Sequence, residues 1–185
     1  HAQSALETAA SVVGAGAAAL AAISRASSGK IDVELLDRNQ VLAYDLAHAA
    51  STVAGGRVML DYAEGNGELE SMLAKAYVAD AIAELTLRLT GREQLWGVSP
   101  GALDPTAAFV QEHRSPEVLE AIADAVANQG GGSTHLGDDL ELARDTFRRF
   151  AAEKVRPVAE QVHRENTDIP EPIIRGLAEL GLFGL

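Results

Sequence analysis

Two apolar stripes joined by a glycine-rich turn constrain this chain most. Leu35, Leu42, Leu46, Ala49, Val53 and Leu60 recur at sevens, fours and threes, and Val78, Ile82, Leu85 and Leu89 at fours and threes. That period marks one face of a helix, not a strand. Between the stripes stands Gly65-Asn66-Gly67, a strong stop and a tight turn. A turn this short sends the second helix back antiparallel to the first. The spacing predicts a helical hairpin, capped at Asp32, running to about Glu64 and then from Glu68 to Leu89, with the stripes facing each other. Gly55-Gly56 either bends the first helix or lets a neighbour approach closely.

The rest of the chain reads the same way. Hydrophobic residues make up 47% but aromatics only 4%, and strands favour aromatic and β-branched side chains. We expect an all-α fold with no internal repeat. Residues 4–27 form a helix weakened by Gly14 and Gly16 and ended by Ser27-Ser28-Gly29. Residues 91–114 are less regular, with Asp104-Pro105 as a cap followed by proline. Ser115-Pro116-Glu117 repeats that signal and opens a helix to about Asn128. Gln129-Gly130-Gly131-Gly132-Ser133 is a linker, so the expected organisation is 1–128, a Gly-rich linker 129–137, and 138–185. In the last part Asp138 or Asp139 caps a helix with apolar Leu140, Ala143, Phe147, Phe150, Ala151, Val155, Val158 and Val162. Pro157 interrupts that pattern and should kink it. A turn at Asn166–Pro170 precedes a helix from Glu171 to Leu180.

The net charge is -12, with most of the excess acid in residues 31–137. No basic stripe exists, which argues against nucleic acid, and an acidic surface repels anionic lipid. No continuous apolar run reaches the ~20 residues that span a bilayer. The apolar stretch Val12–Ile23 lacks a basic leader, so neither a membrane nor a signal peptide is expected. Cysteine is absent, which removes disulfides and thiolate ligands and is compatible with a cytoplasmic protein. The chain starts at His1 rather than Met, so we expect a trimmed start or a tag remnant.

Several motifs carry candidate chemistry. Gly14-x-Gly16 with Asp32 beyond it imitates a dinucleotide fingerprint. The residues before Gly14 read as helix rather than strand, so close helix packing is the expected role. Asp45-x-x-His48 and Glu160-x-x-His163 each place an acid and a histidine on one helix face, as in a di-iron bundle. One pair uses Asp, and the linker separates them, so exposed or rim positions are expected. His1, His113 and His135 lie near termini or loops, and Ser133-Thr134-His135 has no orienting acid. Trp96, the single tryptophan, is expected to be a buried anchor. Arg148-Arg149, Lys154 and Arg156 are expected on a solvated face.

The segment Asp138–Leu185 carries a resemblance. Ala143-Arg144, Phe147, Phe150, Glu153, Val155, Pro157 and Ala159, then Glu179-Leu180-Gly181-Leu182-Phe183-Gly184, follow in an order similar to the opening of the acyl-CoA dehydrogenases. Asp37-Arg38-Asn39-Gln40, Leu46-Ala47 and the hairpin after them resemble the helical extension of the methylsuccinyl-CoA dehydrogenases, with another extended acyl-CoA dehydrogenase as the competing reading. The resemblance implies an enzyme with FAD, a middle β-domain and a C-terminal four-helix bundle. In it a glutamate removes the α-proton of an acyl-CoA thioester, the flavin takes the β-hydride, and electrons pass to an electron-transferring flavoprotein. It also implies a homo-oligomer. Those catalytic parts would lie beyond Leu185 in the remainder of the polypeptide. No catalytic, cofactor-binding or metal residue is therefore assigned here, and this stretch alone is expected to be inactive. The tail Gly181–Leu185 should then be frayed or covered by another chain. A stand-alone helical interaction module and a small metal-binding bundle are the alternatives from other classes.

Overall fold

A computed structural model describes residues 1–184, and every regular element among them is helical. The expected all-α class is what it shows, with one isolated bridge between Arg25 and Ile31. The chain divides into two compact units, one ending at Ser133 and one starting at Thr134.

The first unit contains α1 (Ala2–Ile23), α2 (Val33–Arg38), α3 (Gln40–Ala63), α4 (Glu68–Leu89), a 3-10 turn (Asp104–Thr106), α5 (Ala107–His113) and α6 (Pro116–Gln129). Its core is the hairpin read from the sequence. Leu42, Leu46, Ala49 and Val53 of α3 are buried in one cluster with Val78, Ile82, Leu85 and Leu89 of α4. A fully buried Leu or Ile contributes about 2 kcal/mol, more than the spread of helix propensities along these helices. Burial of the stripes therefore governs their register. Gly65 and Gly67 take φ of 76° and 147°, which the turn needs and side chains resist. Gly55 and Gly56 serve close approach rather than a bend. A Cβ on Gly55 would lie against the Tyr77 hydroxyl, and one on Gly56 would lie 2.8 Å from a Leu6 methyl.

Two boundaries differ from the sequence reading. Asp32 does cap a helix, its carboxylate accepting from the Leu35 N–H at 3.1 Å, but that helix ends at Arg38. Asn39 breaks it at φ -108°, ψ 21° and donates its side-chain amide to the Leu35 carbonyl at 2.8 Å. Asparagine competes for backbone groups in this way, and the apolar stripe passes across the break unaltered. Likewise α1 ends at Ile23, before Ser27-Ser28-Gly29. The residues after it turn back on themselves, with the Asp32 N–H donating to the Ser24 carbonyl at 2.8 Å.

Helix α1 is by length and composition apolar enough to cross a membrane, at a mean hydropathy of 1.6. Counting unbroken apolar runs missed this because Glu7, Thr8 and Ser11 interrupt the run without lowering the average far. Leu6, Ala9 and Val12 of that helix lie in the same core cluster as α3 and α4. Trp96, in the loop after α4, is fully buried there, as a packing anchor should be. A Cβ on Gly16 would come within 2.7 Å of both Trp96 and Leu46, so α1 carries glycine where the indole sits.

The second unit contains α7 (Asp138–Phe150), a π-turn (Ala151–Val155), α8 (Arg156–Glu165) and α9 (Glu171–Glu179). Gly137, not an aspartate, occupies the N-cap, and Asp138, Asp139 and Glu141 fall in the first turn, where carboxylates favour the positive end of the helix dipole. Pro157 has no N–H to return to the preceding turn, and the helix meets this with the π-turn ahead of it. Asn166 adopts the left-handed conformation at φ 50°, and the Thr167 N–H closes on the Val162 carbonyl at 3.2 Å. Ile173 of α9 is buried, and Gly176 lies where a Cβ would meet the Phe150 ring at 2.5 Å. Leu182 and Phe183 are about half exposed, and Leu185 lies outside the described residues.

Candidate functional site

The most organised polar cluster surrounds Asp45. Its side chain is only 12% exposed, and it accepts from Arg88 at 2.9 Å and from Arg92 at 2.7 Å. Arg88 also bridges to Glu84 at 2.6 Å. The hairpin builds this arrangement, because Asp45 near the start of α3 comes level with the end of α4. The hydrogen bond that Arg88 donates to Glu84 holds its guanidinium above the ordinary pKa, with burial pulling the other way and Asp45 adding to the rise. The expectation that Asp45 is a rim residue is therefore corrected: it is a buried acid clamping two arginines. The near-equal sequence distance of Asp45 and Arg88 from Asn66 was the signal that could have paired them. Two carboxylates and two guanidiniums balance in charge, so the cluster ties the helix ends together and leaves no uncompensated cation for an anionic ligand.

The other candidates do not assemble into a reactive centre. His48 is exposed and its ring lies tilted against Tyr44, centroids 4.3 Å apart, rather than joining Asp45. Glu160 pairs with Arg164 at 2.6 Å, and His163 is exposed. No group of three or more His, Cys, Asp or Glu residues converges on a metal position among the described residues. His113 packs edge-on against Phe109 at 4.5 Å, and His135 has a positive φ of 48°. The Thr134 hydroxyl engages Glu141 at 2.6 Å. Arg148, Arg149, Lys154 and Arg156 are exposed on the second unit.

Gly14 and Gly16 lie inside α1, with no strand before them. The space at Gly16 is taken by Leu46 and Trp96, and Asp32 is engaged as a helix cap. A flavin or nicotinamide pyrophosphate needs open backbone amides at a helix start, and these residues do not supply them. Gly14, Gly16 and Asp32 thus do not form a dinucleotide cradle.

Comparison with known proteins gives the chain its context. Residues 137–185 match the family model of the acyl-CoA dehydrogenase N-terminal domain. That match falls on the segment Asp138–Leu185, whose residues carried the resemblance to the opening of these enzymes. The chain is also 29% identical over 178 residues to the (2S)-methylsuccinyl-CoA dehydrogenase of Cereibacter sphaeroides, across 86% of this chain and 32% of that protein. The chain spans about a third of the length of that curated relative.

Proposed function

We propose that this chain is the N-terminal portion of an FAD-dependent acyl-CoA dehydrogenase that desaturates an acyl-CoA thioester between Cα and Cβ, with (2S)-methylsuccinyl-CoA as the substrate. The reach of the likeness carries this reading. The family model begins at residue 137, whereas the alignment to the methylsuccinyl-CoA dehydrogenase takes in 86% of the chain. It therefore runs through the helical hairpin of the first unit, which an acyl-CoA dehydrogenase lacking such an extension would not match. On this reading residues 1–128 are the extension, 129–137 the linker, and 138–185 the start of the enzyme's N-terminal helical domain. The flavin supplies the two-electron acceptor when bound. The residues of this chain contribute scaffold, held by the α3–α4 core and the Asp45 clamp. The catalytic base and the flavin contacts belong to the remainder of the polypeptide. A cytoplasmic homo-oligomer that passes electrons to an electron-transferring flavoprotein completes the proposal.

The test is to express the reading frame through and beyond Leu185, record the visible spectrum, and add acyl-CoA thioesters without oxygen. A yellow protein bleached by (2S)-methylsuccinyl-CoA is expected. A colourless protein would sink the flavoenzyme reading. A flavin bleached only by straight-chain acyl-CoA would sink the substrate and leave the enzyme class standing.

A further inference from the structure

By composition the run Gly130-Gly131-Gly132 is slack chain, but in the structure it follows a set path within the first unit. Gly130 closes α6, its N–H donating to the Val126 carbonyl at 2.8 Å, and its φ of 77° turns the chain back. Gly132 takes a φ of 82°. A Cβ there would lie 3.2 Å from the Tyr62 hydroxyl, 3.3 Å from Glu70 Oε1 and 3.8 Å from a Leu69 methyl. The backbone at Gly132 thus rests on the end of α3 and the start of α4, a fit that a side chain would strain. One residue further on, the Tyr62 hydroxyl donates to the Ser133 carbonyl at 2.8 Å. At Gly131 a Cβ would meet nothing within 4 Å.

Glu70, beside Gly132 in the first turn of α4, is only 8% exposed. Gly132 and Ser133 also form one wall of a groove of about 650 Å³, with Asn66 and Met72 of the hairpin and Ala121 and Ala125 of α6 opposite. We infer that residues 130–133 are a latched strap rather than a free tether. The Tyr62 hydroxyl is the latch, and its release frees the strap, opens the groove and uncovers Glu70. Glycines lose the most conformational freedom when they are held in place. The strap therefore stays down only while its few contacts hold, and the loss of one group is enough to free it. This device is independent of the desaturation reading.

The experiment is nitrogen-15 relaxation on the 185-residue chain, read as order parameters at the amides of residues 131, 132 and 133. Rigid backbone gives about 0.85 and a flexible linker less than about 0.6. The unaltered chain should show the rigid value. Tyr62→Phe, which removes only the hydroxyl, should lower it below about 0.6. Gly132→Ala should do the same, since its methyl meets Tyr62 and Glu70 and its φ resists a side chain. Gly131→Ala should keep the rigid value, because its methyl enters open space. The amides of Ile82 and Leu85 in the core should stay near 0.85 throughout, which shows that each variant is folded. Three results would each overturn the inference: a flexible strap in the unaltered chain, an unchanged strap in Tyr62→Phe or Gly132→Ala, or equal loosening by Gly131→Ala and Gly132→Ala.

Discussion

Gly14 and Gly16 lie two residues apart in α1, yet alanine at these positions should have opposite effects. At Gly14 a new Cβ meets nothing within 4 Å. Alanine there brings only the helix-propensity gain, about 1 kcal/mol. At Gly16 the Cβ would lie 2.7 Å from Leu46 Cδ2 and 2.7 Å from Trp96 Cε3. Carbon atoms pack at about 3.5–4.0 Å, so roughly 1 Å of movement is required. The Leu46 methyl can rotate aside, but Trp96 is 0% exposed, so its ring shifts only by displacing the core around it. Overpacking of this kind costs about 1–3 kcal/mol. Set against the propensity gain, Gly16→Ala should lose about 1 kcal/mol net while Gly14→Ala gains about as much. Guanidinium titrations followed by Trp96 fluorescence report the first unit directly, since Trp96 is the single tryptophan. In melting temperature the two variants should separate by several degrees, about 3–5 °C for each kcal/mol. If Gly16→Ala matches or exceeds Gly14→Ala in stability, the account of why α1 carries glycine at position 16 fails.

Other substitutions probe different contacts. Asp45→Ala leaves Arg88 and Arg92 without their shared partner; the arginines keep partial solvent access, so we expect a loss of about 1–3 kcal/mol, while His48→Ala in the same titration should fall within about 0.5 kcal/mol. Gly176→Ala drives a methyl into the Phe150 ring and should cost the second unit about 1–3 kcal/mol, seen as faster amide exchange in α9; unchanged protection would refute the packing argument. Pro157→Ala supplies the missing N–H and should regularise the π-turn Ala151–Val155, so that the amide of residue 157 exchanges slowly; exchange at the free-peptide rate would show that proline is not the cause.

Legibility in the sequence followed the kind of physics involved. The hairpin was readable because helical period and glycine stops are local properties, and Glu68–Leu89 emerged with the bounds that the structure has. The break at Asn39 was not readable from periodicity, since Leu35 and Leu42 fall seven residues apart whether or not the backbone turns between them. Only the capping habit of asparagine pointed there. The π-turn follows from Pro157, but its form depends on how the preceding turn relaxes, which a kink expectation does not specify.

The Asp45 clamp shows a second kind of omission. Read alone, Asp45 falls outside the leucine stripe and beside a histidine, which suggested a metal pair or a solvated rim. Its partners lie across the hairpin, at the end of α4, so its burial is a tertiary property. Once the turn is placed at Gly65–Gly67, antiparallel pairing brings Asp45 level with Arg88, and the turn that follows α4 brings in Arg92. A charged residue near a hairpin's open end is therefore best judged after the turn is located. The same reasoning separates the acids of α4: Glu84 is drawn into this clamp, while Asp80 pairs with Arg114. Asp104, exposed at the start of the short 3-10 turn, is in no ion pair among the described residues, so its charge is met by solvent while those of Asp80 and Glu84 are met by arginines placed by the fold.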